Sequence, residues 1–305
     1  MKTVLLTGAT GFIGRHCLAP LISAGYEVHA VCFRNARIEI PEVCWHQGDL
    51  LNPSEAERLM RHVHPTHWLH LAWNVAPGDY WESEQNLRWL QASVELLRQF
   101  SQNGGRRVVM AGTCAEYGWR EAICKENATP LAPSTLYGAC KHSLHVASSA
   151  FARQKGISLA WGRIFFLFGP YEPTNRLAPS VIRALLAGQV ANCSHGQQLR
   201  DFLFVADVAE AFVALLDSGV CGPVNIASGQ AIAVKDIVHV IAHKLDRADL
   251  VRLGTVPVSE DEPPSIVADV TRLSEEVGWF PPHTLGEGLD RAIAWWREHS
   301  LEREA

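Results

Sequence analysis

The sequence has no closely spaced pair of cysteines. Its eight cysteines are spread along the 305 residues and are Cys17, Cys32, Cys44, Cys114, Cys124, Cys140, Cys193 and Cys221. Zinc knuckles and disulfide-stabilised domains need cysteines at short, defined spacings, so this distribution argues against both. We expect free thiols that act as small buried side chains in a reducing compartment.

The sequence also lacks an apolar run long enough to span a membrane, and it lacks a cluster of basic residues. A membrane-spanning helix needs about 20 consecutive apolar residues. The formal net charge of −5 disfavours a nucleic-acid surface, since such surfaces are rich in Lys and Arg. The first apolar segment is followed at once by glycines, which does not resemble a signal peptide. We therefore predict a cytoplasmic protein that binds neither nucleic acid nor membrane.

Short apolar segments alternate with helical segments over the first half of the chain. Strands are predicted at 3–7, 27–33, 43–46, 67–72, 107–111 and 158–165. The helices predicted between them cover 13–24, 53–62, 83–103 and 134–155. Such alternation predicts an α/β fold, a doubly wound parallel sheet (Rossmann) with helices on both faces.

The regular alternation ends near residue 168, where a Gly-Pro loop begins and the elements become shorter. We predict two domains, each made of two chain segments. The dinucleotide-binding Rossmann domain is predicted from 1–165 and 200–230. A smaller, discontinuous C-terminal substrate-binding lobe is predicted from 166–199 and 231–305.

A glycine-rich loop at 7–14 joins the first predicted strand to the first predicted helix. Glycines allow backbone amides to approach a pyrophosphate, and the positive end of the helix dipole adds attraction. The strand–loop–helix context strengthens the motif, because glycines also occur in ordinary turns. The loop predicts a dinucleotide site formed by Gly8, Thr10, Gly11, Phe12, Ile13 and Gly14.

The segment 28–38, around the end of the second predicted strand, contains no Asp or Glu. An acidic residue at this place binds the ribose 2′-hydroxyl of NAD(H). The segment instead contains Arg34, which would pair with the 2′-phosphate of NADP(H) unless it is only a solvated cation. We predict a preference for NADP(H), with NAD(H) as the alternative. Asp49, followed by Leu50, either accepts a hydrogen bond from the adenine amino group or caps a turn.

Tyr137 and Lys141 are four residues apart in a predicted helix, so their side chains share one helix face. A phenol has an unperturbed pKa of about 10, and a neighbouring ammonium is expected to lower it. Thr113 follows a buried apolar strand at the sheet edge where ligands bind, and its hydroxyl would hold a substrate carbonyl. Together with the glycine loop, these three residues predict a redox enzyme with Tyr137 as proton donor.

With these motifs in this order, the chain resembles the extended short-chain dehydrogenase/reductase superfamily, in particular its branch of nucleotide-sugar epimerases, dehydratases and reductases. The resemblance covers nearly the whole chain and rests on 7–14, 48–50, 70–72, 112–118, 137–141, 169–170, 200–202 and 205–207. It implies that Tyr137 is the acid/base, that Lys141 binds the nicotinamide ribose and that Thr113 orients the reacting sugar oxygen. It also implies that Leu71 and Ala72 lie beside the cofactor.

Dehydratases of this superfamily carry Asp-Glu directly after the strand-end Thr, as acid and base for the loss of water. This chain has Cys114 and Ala115 there, and a thiol and a methyl group cannot perform that chemistry. Dehydration is therefore disfavoured. A reductase must exchange its spent cofactor, often NADPH, so the absence of an acid from 28–38 and the presence of Arg34 favour reduction of a keto group, at C4, of a nucleotide-activated sugar. An NAD-retaining nucleotide-sugar 4-epimerase is the alternative. A non-catalytic NADP(H)-binding sensor is a second alternative, which the intact Thr113, Tyr137 and Lys141 disfavour.

The resemblance also indicates where the substrate binds. It implies that Arg200 clamps the phosphates of the sugar nucleotide, whereas a structural salt bridge with the second lobe is the alternative. A second family arginine is missing from the acidic stretch 258–264, so Arg176 is a candidate to replace it. Aromatic rings pack against sugar C–H surfaces, although here they could instead fill the core between the lobes. The sugar is expected after the fourth predicted strand, at Trp73, Asn74 and Tyr80.

The expected partners follow from the same resemblance. It implies a homodimer in which the helices at 83–103 and 134–155 pair as a four-helix bundle, and a nucleotide sugar as small-molecule substrate. Four histidines lie between residues 62 and 70, but they lack the spacing of a helical zinc motif. No metal site is predicted.

Overall fold

The computed structural model of the protein describes residues 2–33, 38–76, 78, 80–119, 121–259 and 262–299. Its strands in chain order are β1 (Lys2–Thr7), β2 (Tyr26–Cys32), β3 (Val43–Gln47), β4 (His67–His70), β5 (Arg107–Thr113), β6 (Ile123–Cys124), β7 (Ser158–Ile164), β8 (Phe166–Phe168), β9 (Ala191–Asn192), β10 (Leu199–Arg200), β11 (Phe202–Phe204), β12 (Gly222–Ile226), β13 (Ile232–Ala233), β14 (Val251–Arg252) and β15 (Ser265–Ala268). Its α-helices are α1 (Gly14–Ser23), α2 (Pro53–Val63), α3 (Gln85–Gln102), α4 (Leu136–Lys155), α5 (Leu177–Leu186), α6 (Val205–Asp217), α7 (Val234–Lys244) and α8 (Leu285–His299).

Seven parallel strands form the central sheet, in the order β12-β7-β5-β4-β1-β2-β3. Every residue of β5 is buried, as expected for a parallel strand covered on both faces. Helices α1 and α6 pack on one face, and α2, α3 and α4 pack on the other. The predicted doubly wound parallel sheet is therefore confirmed.

Helix α4 places the predicted catalytic pair against this sheet. The Thr135 side chain accepts a hydrogen bond from the Gly138 backbone N–H at 3.1 Å and caps the start of the helix. The helix ends at Gly156, which adopts a left-handed φ of +68°. These two signals place Tyr137 and Lys141 in the first turns of α4, next to the carboxyl end of β5.

The chain after β8 forms a second hydrophobic cluster around α5, α7 and α8, with Phe168, Ile182, Ile241 and Trp296 among its buried members. A four-stranded sheet in the order β13-β10-β15-β6 joins three strands from this later part of the chain to β6 from the first half. Strand β12 instead joins the central sheet beside β7. Within the residues that are described, every helix is too short or too polar to cross a membrane.

Candidate active site

The glycine loop connects β1 to α1, and Gly8 adopts a left-handed φ of +80° there. A Cβ at Gly8 would lie 2.7 Å from the carbonyl carbon of Leu71 and 2.8 Å from the amide nitrogen of Ala72. A Cβ at Gly14 would lie 2.1 Å from the carbonyl oxygen of Gly8. A side chain at either position would collide with backbone, so the loop packs directly against the segment that follows β4.

The start of α1 fits the pyrophosphate of a dinucleotide. Among the described residues, no side chain caps its first amides, and its first turn contains no acid. Uncapped amides at the positive end of a helix dipole attract an anion. The Arg15 guanidinium donates to the Thr10 carbonyl oxygen at 3.2 Å and supports the loop. The side chains of Phe12 and Ile13 pack against the C-terminal hydrophobic cluster.

The predicted adenine end lies at the carboxyl end of β3, and Arg34 lies outside the described residues. The Asp49 backbone N–H donates to Glu55 at 2.8 Å, and the Asp49 carboxylate accepts from the Leu51 N–H at 2.9 Å. Asp49 therefore caps a turn, which was one of its two predicted roles, and the adenine contact stays a prediction. A cavity of about 330 Å³ beside it is lined by residues that include Val31, Trp45, His46, Asp49 and Leu50.

Thr113, Tyr137 and Lys141 come together at the carboxyl end of β5. The Thr113 side chain acts on the Tyr137 hydroxyl in the direction that lowers the pKa of the phenol. Thr113 and Tyr137 are each 8% exposed, and Lys141 is 4% exposed. The Lys141 ammonium donates to the Ala111 carbonyl oxygen at 2.9 Å and lies 3.9 Å from the ring centre of Trp73. The fold thus brings the three predicted catalytic side chains into one buried group.

Burial controls the acidity of both titratable groups. It raises the pKa of Tyr137 well above its ordinary value, and Tyr80 acts in the same direction, whereas the Thr113 side chain opposes it. Burial lowers the pKa of Lys141 to about 7, and the negative charge of Glu116 opposes that change. The prediction of a lowered phenol pKa is wrong for this arrangement, because desolvation disfavours the phenolate more than its neighbours stabilise it.

Aromatic side chains enclose the phenol. The ring centre of Tyr137 lies 5.0 Å from that of Tyr80, 5.7 Å from Trp81 and 6.5 Å from Trp73, all edge-to-face. The Tyr137 backbone N–H donates to the Trp81 carbonyl oxygen at 2.9 Å. The buried Asn86 donates to the Tyr80 carbonyl oxygen at 2.7 Å and accepts from the Trp73 indole N–H at 2.8 Å. Asn86 therefore holds the segment that covers the phenol.

The other predicted sugar-binding residues differ in their placement. The Arg176 guanidinium lies 5.8 Å from the ring centre of Tyr80, beside the aromatic group. Asn74 is exposed, and its side-chain oxygen accepts the backbone N–H two residues later.

Glu172, which sequence analysis missed, is 4% exposed and accepts from the Gly169 N–H at 3.3 Å. Burial raises the pKa of Glu172 to about 8, although hydrogen bonding and Arg176 oppose this.

Arg200 is buried and paired. Its guanidinium donates to the Glu262 carboxylate at 2.5 Å and to the Leu199 carbonyl oxygen at 2.8 Å, and lies 5.4 Å from the ring centre of Phe166. The structural salt bridge that was the alternative for Arg200 is therefore present. Burial raises the pKa of the Cys114 thiol to about 12, and the charge of Arg200 opposes this.

A second buried ion pair, which sequence analysis also missed, lies behind Thr113. Glu116 and Arg163 have side chains with 0% exposure, and the Arg163 Nε donates to Glu116 at 2.9 Å. The other Glu116 oxygen accepts from the Thr113 backbone N–H at 2.9 Å and from the Trp161 indole at 2.8 Å. Both oxygens of the Glu116 carboxylate are therefore engaged by groups inside the protein. The sequence signal that could have revealed this ion pair is Arg163 itself, a charged residue within the largely apolar strand β7.

One group of side chains has metal-like spacing. Glu116, His142 and His145 have potential ligand atoms within 4.8 Å of one another, whereas the histidines at 62–70 form no such group in the described part of the chain. Arg163 already neutralises Glu116, and both carboxylate oxygens accept hydrogen bonds. A cation would have to displace the guanidinium, so this group is better explained as structural.

The chain is similar to enzymes that act on nucleotide sugars. The family described as "NAD dependent epimerase/dehydratase family" matches residues 4–227, a segment that contains the glycine loop, Thr113, Tyr137 and Lys141. UDP-glucuronic acid decarboxylase 1 of Xenopus tropicalis is 26% identical over 316 residues, which cover 100% of this chain and 74% of that protein. The dTDP-4-dehydro-6-deoxy-D-allose reductase of Streptomyces bikiniensis is 26% identical over 333 residues, with 98% and 97% covered.

A similar solved structure is that of MoeE5 in complex with UDP-glucuronic acid and NAD. It is 28% identical, has a TM-score of 0.84, and the match covers 97% of this chain and 99% of that chain. The family match extends over more than half of the sequence and includes every residue of the buried group at the end of β5. The chain therefore belongs to the NAD dependent epimerase/dehydratase family and is an enzyme of the short-chain dehydrogenase/reductase type.

Proposed function

We propose that the protein reduces a keto group of a nucleotide-activated sugar, at C4, with NADP(H) as cofactor and Tyr137 as proton donor. The observation that carries this proposal is the convergence of Thr113, Tyr137 and Lys141 in one buried group at the sheet edge that also holds the glycine loop. The similarity to a dTDP-sugar reductase, and to a protein that binds UDP-glucuronic acid with NAD, supports the substrate class.

In this proposal the Tyr137 hydroxyl gives its proton to the carbonyl oxygen of the substrate, and the Thr113 hydroxyl holds that oxygen in place. A nicotinamide held by the glycine loop and Lys141 would supply a hydride to the carbonyl carbon, and the C=O group would become an alcohol. The phenolate that remains is poorly solvated, and the Lys141 ammonium stabilises it. Because the pKa of Lys141 is lowered to about 7, we expect turnover to fall as the pH rises above that value.

The turn after Thr113 supports reduction over dehydration. Burial raises the pKa of the Cys114 thiol to about 12, so this thiol stays protonated at neutral pH. The neighbouring Ala115 has no titratable group, and the Glu116 carboxylate is engaged by Arg163 behind the turn. The turn therefore offers no acid/base pair for the elimination of water.

The preference for NADP(H) rests on the segment 28–38, which contains Arg34 and no acid. NAD(H) is the alternative, and MoeE5 was solved with NAD. We expect a lower KM for NADPH than for NADH, and we expect Arg34→Leu to raise the KM for NADPH about tenfold or more, since a charged phosphate contact is lost. Equal KM values for the two cofactors in the wild-type enzyme would remove Arg34 from the proposal.

We further propose that segments 1–165 and 200–230 bind the cofactor, and that the lobe of 166–199 and 231–305 covers the sugar nucleotide. The aromatic group around Tyr137 would face the sugar. These roles are supported by the position of the glycine loop in the central sheet and by the separate cluster around α5, α7 and α8. A cytoplasmic location is part of the same proposal.

A homodimer through α3 and α4 completes the proposal. Large apolar side chains are exposed on these helices: Leu87 is 52% exposed, Val94 42% and Val146 55%. Burying such side chains against a second copy is favourable, at roughly 25 cal/mol per Å² of apolar surface. Apolar residues on the outer face of two adjacent helices are the feature that supports a four-helix interface.

The substitution Tyr137→Phe tests the catalytic assignment. It removes the proton donor and keeps the ring, so we expect kcat to fall by about 10²–10⁴-fold while the Kd for NADPH stays unchanged. Tyr26→Phe is the matched control, because Tyr26 is also buried but hydrogen-bonds to Asp217 at 3.1 Å, at the start of β2. Full turnover by Tyr137→Phe would refute the assignment.

The same preparations separate the alternatives. Interconversion of sugar epimers without added cofactor, with NAD released only on denaturation, would identify a 4-epimerase. Binding of NADPH without turnover of any keto-sugar nucleotide would identify a sensor.

A further inference from the structure

The contact between Arg200 and Glu262 links the proposed phosphate-binding arginine to an acidic loop. The Arg200 side chain is 4% exposed, whereas that of Glu262 is 39% exposed. The arginine is thus held inside the protein, and its partner carboxylate reaches it from the solvent side. A guanidinium in such a place needs an anionic partner, because an unpaired buried charge is costly.

The backbone around Glu262 holds the carboxylate in this position. The Glu262 N–H donates to the Ser259 carbonyl oxygen at 3.0 Å. Two prolines follow, and the Pro264 carbonyl oxygen accepts from the Leu199 N–H at 2.8 Å, one residue before Arg200. Prolines restrict the backbone, so Glu262 is tied through Pro264 to the strand that carries the arginine. These backbone contacts therefore fix the place at which the Arg200–Glu262 ion pair forms.

A substrate phosphate and the Glu262 carboxylate would compete for the same guanidinium. Arg200 also donates to the Leu199 carbonyl oxygen and lies against the ring of Phe166, so these groups restrict its movement toward a second position. The Glu262 side chain, by contrast, is 39% exposed, so its carboxylate is the member of the pair that can move into solvent. The anion that binds Arg200 therefore replaces the carboxylate, and the carboxylate remains close by as a like charge.

We propose that Glu262 is a displaceable counter-ion of Arg200 that sets the affinity of the site for anionic substrates. This inference rests on the proposed function, since it assumes a nucleotide sugar whose phosphates reach Arg200. When a substrate phosphate binds, the Arg200–Glu262 ion pair is replaced by an ion pair between Arg200 and the phosphate. The favourable binding free energy is therefore smaller than it would be for an unpaired arginine. Glu262 thereby weakens substrate binding and product binding alike, and it penalises a diphosphate more than a monophosphate because repulsion grows with ligand charge.

The test is calorimetric titration of UDP, dTDP and UMP into the wild-type enzyme and the variants Glu262→Gln, Arg200→Gln and the double variant. We expect Glu262→Gln to bind UDP or dTDP about tenfold more tightly, which is the size of one charged hydrogen bond, and to gain less for UMP. Arg200→Gln should bind more weakly, and adding Glu262→Gln to it should recover less than the tenfold gain seen with Arg200 intact, because the larger part of the effect is competition for the Arg200 guanidinium and only the smaller part is direct repulsion.

Glu276→Gln serves as the matched control, because Glu276 pairs with Arg272 at 2.7 Å on the surface and should leave the nucleotide affinity unchanged. Equal or weaker nucleotide binding by Glu262→Gln, in a variant whose melting temperature matches the wild type, would overturn the role of Glu262 and leave the proposed function standing. Failure of every protein, including Glu262→Gln, to bind any of the nucleotides would overturn both. Nucleotide binding that is detected for Glu262→Gln and for none of the other proteins would support the role of Glu262 as a counter-ion that opposes nucleotide binding.

Discussion

Substituting Glu116 by Gln should destabilise the protein strongly, because it leaves the Arg163 charge buried with only neutral hydrogen-bond partners. Both side chains have 0% exposure, and their contact is 2.9 Å long. Breaking a buried pair on one side costs about 3–5 kcal/mol, and a chain of this size loses roughly 2–4 °C in Tm per kcal/mol. The expected decrease in Tm is therefore about 6–20 °C, measured by circular dichroism together with urea unfolding.

The same variant should also lose activity, since Glu116 accepts the backbone N–H of Thr113 and so helps to hold the strand-end hydroxyl. Glu276→Gln is the control for stability, because its exposed pair with Arg272 should contribute no more than about 1 kcal/mol. Adding Arg163→Met to Glu116→Gln removes both charges and should recover part of the lost stability. A loss below about 1 kcal/mol in Glu116→Gln would show that the ion pair does not support the turn.

Three further perturbations test other parts of the structure. The pKa of Lys141 is lowered from 10.5 to about 7 in the folded protein, so between these pH values the unfolded chain binds the Lys141 proton more tightly than the folded protein does. The free energy of unfolding of the wild type, compared with that of Lys141→Met in urea titrations, should therefore rise as the pH increases from 7 to 10. Asn86→Ala removes the buried hydrogen bonds to Tyr80 and Trp73 and should cost about 1–3 kcal/mol together with a lower kcat, whereas unchanged stability and kcat would contradict its anchoring role. Leu87→Glu should convert a dimer into monomers in sedimentation experiments, and a wild-type monomer would reject the proposed interface.

Local sequence signals predicted the helices and strands of the central sheet closely. The helix expected at 134–155 is observed as Leu136–Lys155, and the helix expected at 53–62 is observed as Pro53–Val63. Both elements carry explicit end signals, namely capping by Thr135 and by Asn52. Such signals depend on neighbours in the chain, so they can be interpreted without knowledge of the fold.

The predicted catalytic group was also accessible from the sequence, because its members occur at the ends of regular elements. A residue after a buried parallel strand must lie at the carboxyl edge of the sheet, and two residues four apart in a helix must share a face. The pKa values of that group could not be predicted from the sequence. The pKa of Tyr137 depends on how completely Trp73, Tyr80 and Trp81 exclude water, and this depends on the path of a loop.

The sequence by itself determined the sheet, the glycine loop at the start of α1 and the spacing of Tyr137 and Lys141, because periodicity, capping and backbone sterics act over a few residues. Only the tertiary structure decided which charges meet. Arg163 pairs with Glu116, which is 47 residues away in the chain, and Arg200 pairs with Glu262, which is 62 residues away. Ion pairs of this kind form where the packed chain leaves a charge little contact with water, and that condition exists only after the distant segments have come together.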